Sequence, residues 1–162
     1  MSFLIRAYAP SDLPILHTIR AAAFAPVFAS FRSIVGPEIA ALGLAAAEQE
    51  QADLLDTIAK SYSGHTIAVA EIGVVIAGFV SWKTDDTTKI GEITLNAVHP
   101  HHGGKGIGTA LYEHALAALK AAGMQLATVG TGGDPSHAPA RRAYGKVGFS
   151  VGLPSVYLYR RL

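Results

Sequence analysis

The sequence predicts a mixed α/β fold in one domain, and three observations carry that expectation. A chain of 162 residues has the length of one domain rather than two. Half of the residues are apolar and only 15% are charged, which supplies ample material for a buried core. Strand-like and helix-like stretches follow one another in the order β-α-α-β-β-β-α-β-α-β. No internal repeat, low-complexity tract or linker divides residues 1–162.

Residues 3–8 read as a short strand. Pro10, Ser11 and Asp12 then offer a turn and a helix cap, and Leu13, Leu16, Ile19, Arg20 and Phe24 follow at helical spacing. Residues 37–60 are rich in Ala, Leu, Glu and Gln and predict one or two further helices, with a break at Gly43. After Gly64 the text turns β-rich. Residues 66–71 and 74–83 form two strands around a turn at Ile72-Gly73, and a polar loop from Thr84 to Thr88 leads to a strand over 90–98. Leu111, Ala115, Ala118, Leu119 and Ala122 mark the apolar stripe of the next helix, which Gly123 closes. A strand at 126–130, a helix from about 136 to 147 stopped by Gly148, and a last strand at 156–160 complete the order.

The net charge of +1 conceals an asymmetry. Residues 1–89 hold six Lys/Arg against nine Asp/Glu, a balance of −3; residues 90–162 hold seven against three, a balance of +4. The basic half favours a small anionic ligand. The dense Lys/Arg clusters with interleaved aromatics of a nucleic-acid surface are missing, so no nucleic-acid partner is expected. No uninterrupted apolar run approaches the roughly 20 residues of a membrane span, and the first residues lack a signal-peptide layout. Without cysteine there is no disulfide, thiolate metal site or cysteine nucleophile. A cytoplasmic location without membrane association is the default expectation.

The informative segment runs Val98-His99-Pro100-His101-His102-Gly103-Gly104-Lys105-Gly106-Ile107-Gly108-Thr109. It follows a strand and opens an amphipathic helix. Backbone N–H groups at such a helix start lack helical partners, and the positive end of the helix dipole adds to them, so the turn suits an anion. Glycine lets a phosphate approach those amides, and Lys105 adds a point charge. Two other phosphate motifs fail. A Walker loop needs Ser or Thr after Gly104-Lys105, where Gly106 stands, and glycine where His99 stands. The pattern G-x-G-x-x-G begun at Gly106 would need glycine at Leu111.

Val98-x-Pro100 followed by Gly104-Lys105-Gly106-Ile107-Gly108 resembles the acetyl-CoA signature [RQ]-x-x-G-x-[GA] of the GNAT superfamily of N-acetyltransferases. Gly103 departs from it, standing where Arg or Gln is usual. A second block, Ala140 to Phe149, is similar to the family's A-x-x-x-Y-x-x-x-G-F, with His137 where members often carry Asn and Gly145 where Glu is common. The resemblance implies a mixed, mostly antiparallel sheet of six or seven strands, flanked by about four helices. It further implies a central V-shaped cofactor cleft between the strands at 90–98 and 126–130. Acetyl-CoA would be the cosubstrate, its pyrophosphate on the amides of Gly103, Gly104, Lys105, Gly106, Ile107, Gly108 and Thr109. Its pantetheine would pair along the strand at Ala97 and Val98, with His137 and Tyr144 also on the CoA side.

Amine acetylation needs a free amine, a stabilised oxyanion and a proton for the departing thiolate. Glu92 is the candidate base: it stands fourteen residues before Gly106, the spacing of the catalytic glutamate in the family's histone-acetylating branch. Strand alternation places Glu92, Thr94, Asn96 and Val98 on one face. The alternative is a glutamate facing water. A glutamate near pKa 4.3 taking a proton from a lysine-like amine near 10.4 faces about 8 kcal/mol, so burial or a water relay must help. Tyr144 is the candidate acid by resemblance, and a core tyrosine is its alternative. The amides near Ala97 and Val98 are the implied oxyanion donors. His99, His101 and His102 read as a solvated or phosphate-contacting loop, so no metal is expected. The expected activity is transfer of acetyl to a primary amine of a small molecule or peptide, by direct attack in a ternary complex. The alternatives are a non-catalytic acyl-CoA-binding regulator, and an O- or longer-chain acyltransferase of the same fold. A homodimer is possible, and no residue pattern favours or opposes it.

Overall fold

The computed structural model describes residues 2–162. Five strands form one sheet in chain order: β1 (Leu4–Ala7), β2 (His65–Ile72), β3 (Val75–Asp85), β4 (Ile90–Val98) and β5 (Leu126–Val129). Neighbours run antiparallel except β4 and β5, which are parallel. A parallel pair needs a crossover, and the helix α4 (Ile107–Ala121) supplies it. Helices α1 (Leu13–Val35), α2 (Pro37–Gly43) and α3 (Ala47–Ile58) precede β2, and α5 (Ala138–Lys146) follows β5.

The sheet separates two apolar layers. Leu16 and Ile19 of α1 and Leu55 and Ile58 of α3 pack on Val69, Phe79, Leu95 and Ala97. On the other face, Leu111, Tyr112, Ala115 and Leu119 of α4, with Tyr144 of α5, cover Val80, Trp82 and Ile93. Of the predicted stripe, α4 buries Leu111, Ala115 and Leu119, whereas Ala118 is partly buried and Ala122 lies exposed just past its end. The first helix runs well past Phe24 to Val35, through Pro26. The stretch Pro10–Val35, 26 residues, is long and apolar enough by composition to cross a membrane. Its Leu16 and Ile19 are wholly buried on the sheet, while most of the stretch is not buried. The break at Gly43 separates α2 from α3, as its position suggested.

Two expectations fail. The last strand at 156–160 does not form: residues 147–162 have no regular structure, and the sheet has five strands rather than six or seven. Strand-like composition without a paired neighbour leaves the backbone unbonded, so propensity alone makes no strand. The simple alternation along β4 also breaks. Trp82 faces Ile93 but Val80 faces Asn96, so Ser81 alone opposes Thr94 and Leu95. This β-bulge reverses the facing of the residues beyond it. Ile93 belongs to the α4 layer and Leu95 and Ala97 to the α1 layer. Glu92, paired with Lys83, therefore points to the α1 face, while Asn96 points to α4.

Gly91 shows how closely α4 lies on β4. A Cβ there would come within 2.8 Å of Leu119 Cδ1 and 3.0 Å of its Cγ, inside a buried layer. Gly91→Ala should therefore overpack the α4 layer and cost about 1–3 kcal/mol, measured by urea unfolding.

Candidate active site

The pairing of β4 with β5 covers Ile90–Leu126 through Ile93–Val129 and then stops. From Leu95 to Val98, β4 keeps its partner β3 on one side only, Gly78 standing opposite Val98 and Phe79 opposite Ala97. The sheet thus splays into a V whose one wall is the end of β4 and whose other is β5 with its following loop. Ser81 fixes the splay. Its buried hydroxyl donates to the Leu95 carbonyl at 2.7 Å and meets Thr94 Oγ1 at 2.7 Å, holding the bulge against β3.

The glycine turn stands at the mouth of this V. A short 3₁₀ turn, Pro100–His102, carries the chain from β4 toward α4. Gly104 and Gly106 adopt φ of +73° and +79°, left-handed values at which a side chain is strained, and nothing lies within 4 Å of where a Cβ would stand. The first helical bond of α4 runs from the Ala110 amide to the Gly106 carbonyl. The amides of Ile107, Gly108 and Thr109 consequently have no helical partner. Gly103 differs, because its amide already donates to the Pro100 carbonyl at 3.1 Å. The Lys105 ammonium reaches back to the His101 carbonyl at 3.3 Å. The rings of His99 and His101 meet edge to face, 4.8 Å between centroids. His102 Nδ1 is buried without a partner in the protein; burial, then nearby Lys105, lowers the pKa of this ring and keeps it neutral. Among the described residues no group of three or more side chains converges as a metal site.

Below the turn, Asn96 organises two tyrosines. Tyr112 donates to Asn96 Oδ1 at 2.8 Å, and Asn96 Nδ2 donates to the Tyr144 hydroxyl at 3.1 Å. The two rings lie 4.6 Å apart, and Phe149 packs edge-on against Tyr144. Tyr144 in turn donates a long hydrogen bond of 3.4 Å to Asn96 Oδ1, which also accepts from Tyr112. Burial raises the pKa of both phenols, and both remain protonated well past neutrality. Asn96 and Tyr112 escaped the sequence-based search. An amide among Leu95, Ala97 and Val98 was the available signal, since a polar group there must be bonded.

Glu92 stands apart from this network. It forms an ion pair with Lys83 at 2.9 Å, both side chains nearly half exposed, beside an open depression of about 490 Å³ lined also by Thr84, Ile90 and Thr128. Four residues separate it from Asn96, about 13 Å of strand. His137 is likewise engaged. Its Nδ1 meets Asp134 Oδ1 at 2.5 Å and its ring stacks on Phe31 of α1 at 5.7 Å. Asp134 also accepts from Ser30 of α1 at 2.7 Å and from the Ser136 hydroxyl. Burial alone would raise the Asp134 pKa, but these hydrogen bonds outweigh it and hold the carboxyl below the usual range.

A splayed parallel pair with a glycine turn at its mouth is the arrangement that the resemblance to the GNAT superfamily implied, and the comparisons make the class specific. The profile of the acetyltransferase (GNAT) family matches residues 35–149. The chain belongs to that family and is an acyltransferase. No curated protein sequence is significantly similar. Among solved structures, the PaiA N-acetyltransferase from Thermoplasma acidophilum, in complex with coenzyme A, is 21% identical with a TM-score of 0.72, covering 94% of this chain and 92% of that one. The ribosomal-protein-S18-alanine N-acetyltransferase from Escherichia coli is 18% identical, TM-score 0.67, covering 94% and 80%. A GNAT family acetyltransferase from Brucella melitensis, in complex with acetyl-CoA, is 21% identical, TM-score 0.65, covering 93% and 84%.

The Asn96 bridge yields a direct test. Asn96→Leu leaves two buried hydroxyls without their partner and should cost about 1–3 kcal/mol in chemical denaturation. Because folding raises both phenol pKa values, the unfolded chain loses these protons first. Stability is complete below the ordinary value of 10.0 and declines as pH rises beyond it.

Proposed function

We propose that this chain transfers the acetyl group of acetyl-CoA to a primary amine of a small molecule or peptide, by direct attack in a ternary complex. The observation that carries the proposal is the Tyr144 hydroxyl, which accepts a hydrogen bond from Asn96 Nδ2 at 3.1 Å and gives back only a long one at 3.4 Å, beside the splayed end of β4. Bound acetyl-CoA supplies the thioester carbonyl that the amine attacks. The amides of Gly104 to Thr109 would hold its phosphates, with the Gly103 amide turned inward and contributing shape. The unpaired side of β4 at Ala97 and Val98 would bind the arm and offer amides to the oxyanion. Solved structures of the same fold with coenzyme A or acetyl-CoA bound support this choice of donor.

Tyr144 then donates to the departing thiolate. A phenol near 10 and a thiol near 8.5 differ by about 2 kcal/mol for full transfer, and burial of the phenol favours a strong hydrogen bond over complete transfer. Glu92 serves the other half of the reaction. The bulge sets it on the α1 face, about 13 Å of strand from Asn96, so it receives the amine's proton through water rather than by contact. His137 holds the loop beside the cleft while Asp134 and Phe31 occupy its ring.

The turn is tested with a residue that tolerates left-handed backbone. Gly106→Asn keeps φ near +79° accessible but adds a side chain. The CoA-induced rise in melting temperature should vanish while the unliganded melting temperature changes little; an undiminished rise would move the phosphate site elsewhere. The chemistry is tested by turnover across an amine panel, read as free thiol. Tyr144→Phe preserves the ring and should lower kcat roughly 10²-fold at unchanged CoA affinity. Glu92→Gln should lower it less, with the loss shrinking as pH rises and free amine accumulates. Parental rates in both variants would leave a CoA-binding protein without this mechanism.

A further inference from the structure

The loop after β5 carries an acid–imidazole pair that so far serves only to hold that loop. His137 and Asp134 have side chains 15% and 9% exposed. His137 Nδ1 lies 2.5 Å from Asp134 Oδ1 and 3.4 Å from the Ser136 hydroxyl, which itself donates to Asp134 Oδ2. Burial would raise the Asp134 pKa, but its hydrogen bonds outweigh burial, so the carboxyl is ionised and only accepts. Both neighbours of Nδ1 are therefore acceptors toward the ring. Nδ1 carries the hydrogen, and the neutral ring keeps its lone pair on Nε2. Among the described residues Nε2 has no hydrogen-bond partner, and the polar atoms sealed from solvent without one are Arg20 Nε and His102 Nδ1 instead. Nε2 thus faces accessible space.

The ring is fixed on its other sides as well. It stacks on Phe31 of α1 at 5.7 Å and 24°, and it lies on Gly132, where any Cβ would come within 2.6 Å of Cε1. Arg141 of α5 spends its guanidinium on the Gly132 and Asp134 carbonyls, and Arg32 of α1 is paired with Glu48. Asp134 is left as the charge that meets the ring. α1 spans the opening of the V. Its Leu16 and Ile19 lie in one layer with Leu95 and Ala97 of the unpaired β4 end, and its Ser30 and Phe31 meet Asp134 and His137 on the opposite wall. His137 precedes α5, and Tyr144 stands seven residues later on the same face, two turns or about 10 Å along the axis.

We propose that His137 is the base that takes the proton of the attacking amine, with Asp134 as its positioning residue. This rests on the acetyl transfer proposed above and names the first acceptor of the proton that Glu92 receives through water. The free amine nitrogen bonds to the thioester carbon, and its proton passes to Nε2. The C–S bond breaks, and the departing sulfur takes the Tyr144 proton. Water then takes the proton from Nε2 and returns one to Tyr144, so ring and phenol are restored and the thiol leaves. An imidazole changes charge nearer neutrality than a carboxylate does, and the cation it forms meets the Asp134 carboxylate and the Phe31 face.

His137→Asn is the informative variant, because an amide still donates to Asp134 but cannot take a proton. Its melting temperature, and the rise that CoA induces, should match the parent's. Turnover on the amine panel should fall roughly 10²-fold. The acid limb of the parental kcat/KM–pH profile, where the ring takes its proton, should be absent. Nitrogen NMR of the labelled parent should show His137 with hydrogen on Nδ1 and a bare Nε2, and in Asp134→Asn the two tautomers should mix. Ser30→Ala cuts the tie to α1 but leaves the carboxylate, so both the tautomer and the acid limb should persist. Parental turnover in His137→Asn, an acid limb unchanged there, or a parental ring with its hydrogen on Nε2 would each overturn the proposal. A parent that binds acetyl-CoA but turns over no amine would overturn the acetyl transfer itself, and this assignment with it.

Discussion

The Ser81 hydroxyl, buried between β3 and β4, is the contact on which the arrangement of the site depends. By meeting both Thr94 Oγ1 and the Leu95 carbonyl it accommodates two residues of β4 opposite one of β3. A regular β4 would keep its twist and direction and could continue its pairing with β5. With the bulge, β4 bends and the parallel pairing ends at Ile93 and Val129. The opening is therefore a product of the sheet itself rather than of loops around it. A serine at this point costs little, because its oxygen has two partners despite being wholly buried.

The same bulge divides the work of the two candidate proton carriers. Had alternation continued, Glu92 and Asn96 would share a face and compete for one small volume. Instead Glu92 looks toward α1 with Lys83 beside it, and Asn96 looks toward α4 and α5, where it sets the two tyrosines. An acceptor amine and a leaving thiolate are separate substituents of one tetrahedral carbon, and each needs its own proton partner. Placing their proton partners on opposite faces of one strand suits that requirement. It also keeps a solvated carboxylate away from a buried phenol, which would otherwise be harder still to ionise or polarise usefully.

Local signals were strong where the physics is local. The glycine turn declares itself because φ near +75° at two positions requires glycine, and the α4 stripe because a helix one layer deep must bury one face. The order of elements and the break at Gly43 followed from the same short-range rules. The facing of Glu92 did not, since nothing in Ile90 to Val98 announces a bulge; its cause is Ser81, on another strand. The Tyr112–Asn96–Tyr144 bridge joins three elements and becomes visible only once they are packed. The tail misled for a further reason. Its Val, Tyr and Leu residues favour strand, but a strand also needs a paired neighbour, and composition cannot supply one.

The far wall of the cleft is held by a different device. β5 is only four residues long, and its loop would be free to move were it not for Asp134. That carboxylate receives hydrogen bonds from Ser30 on α1, from Ser136 and from His137, while Arg141 holds the Gly132 and Asp134 carbonyls. The first of these spans 104 residues and ties α1 to the loop that leads into α5. A folded-state pKa held below its ordinary 3.8 means that this clasp is fully present above that value. It weakens as pH falls from there and is lost once pH passes the lowered folded-state value, when the carboxyl takes a proton and gives up acceptor capacity. At neutral pH the loop is therefore fixed by charge and hydrogen bonds, whereas the β4 wall is fixed by backbone geometry. A cleft built this way can loosen on one side without disturbing the turn at its mouth, because the Gly104–Gly106 turn shares no hydrogen bond with Asp134.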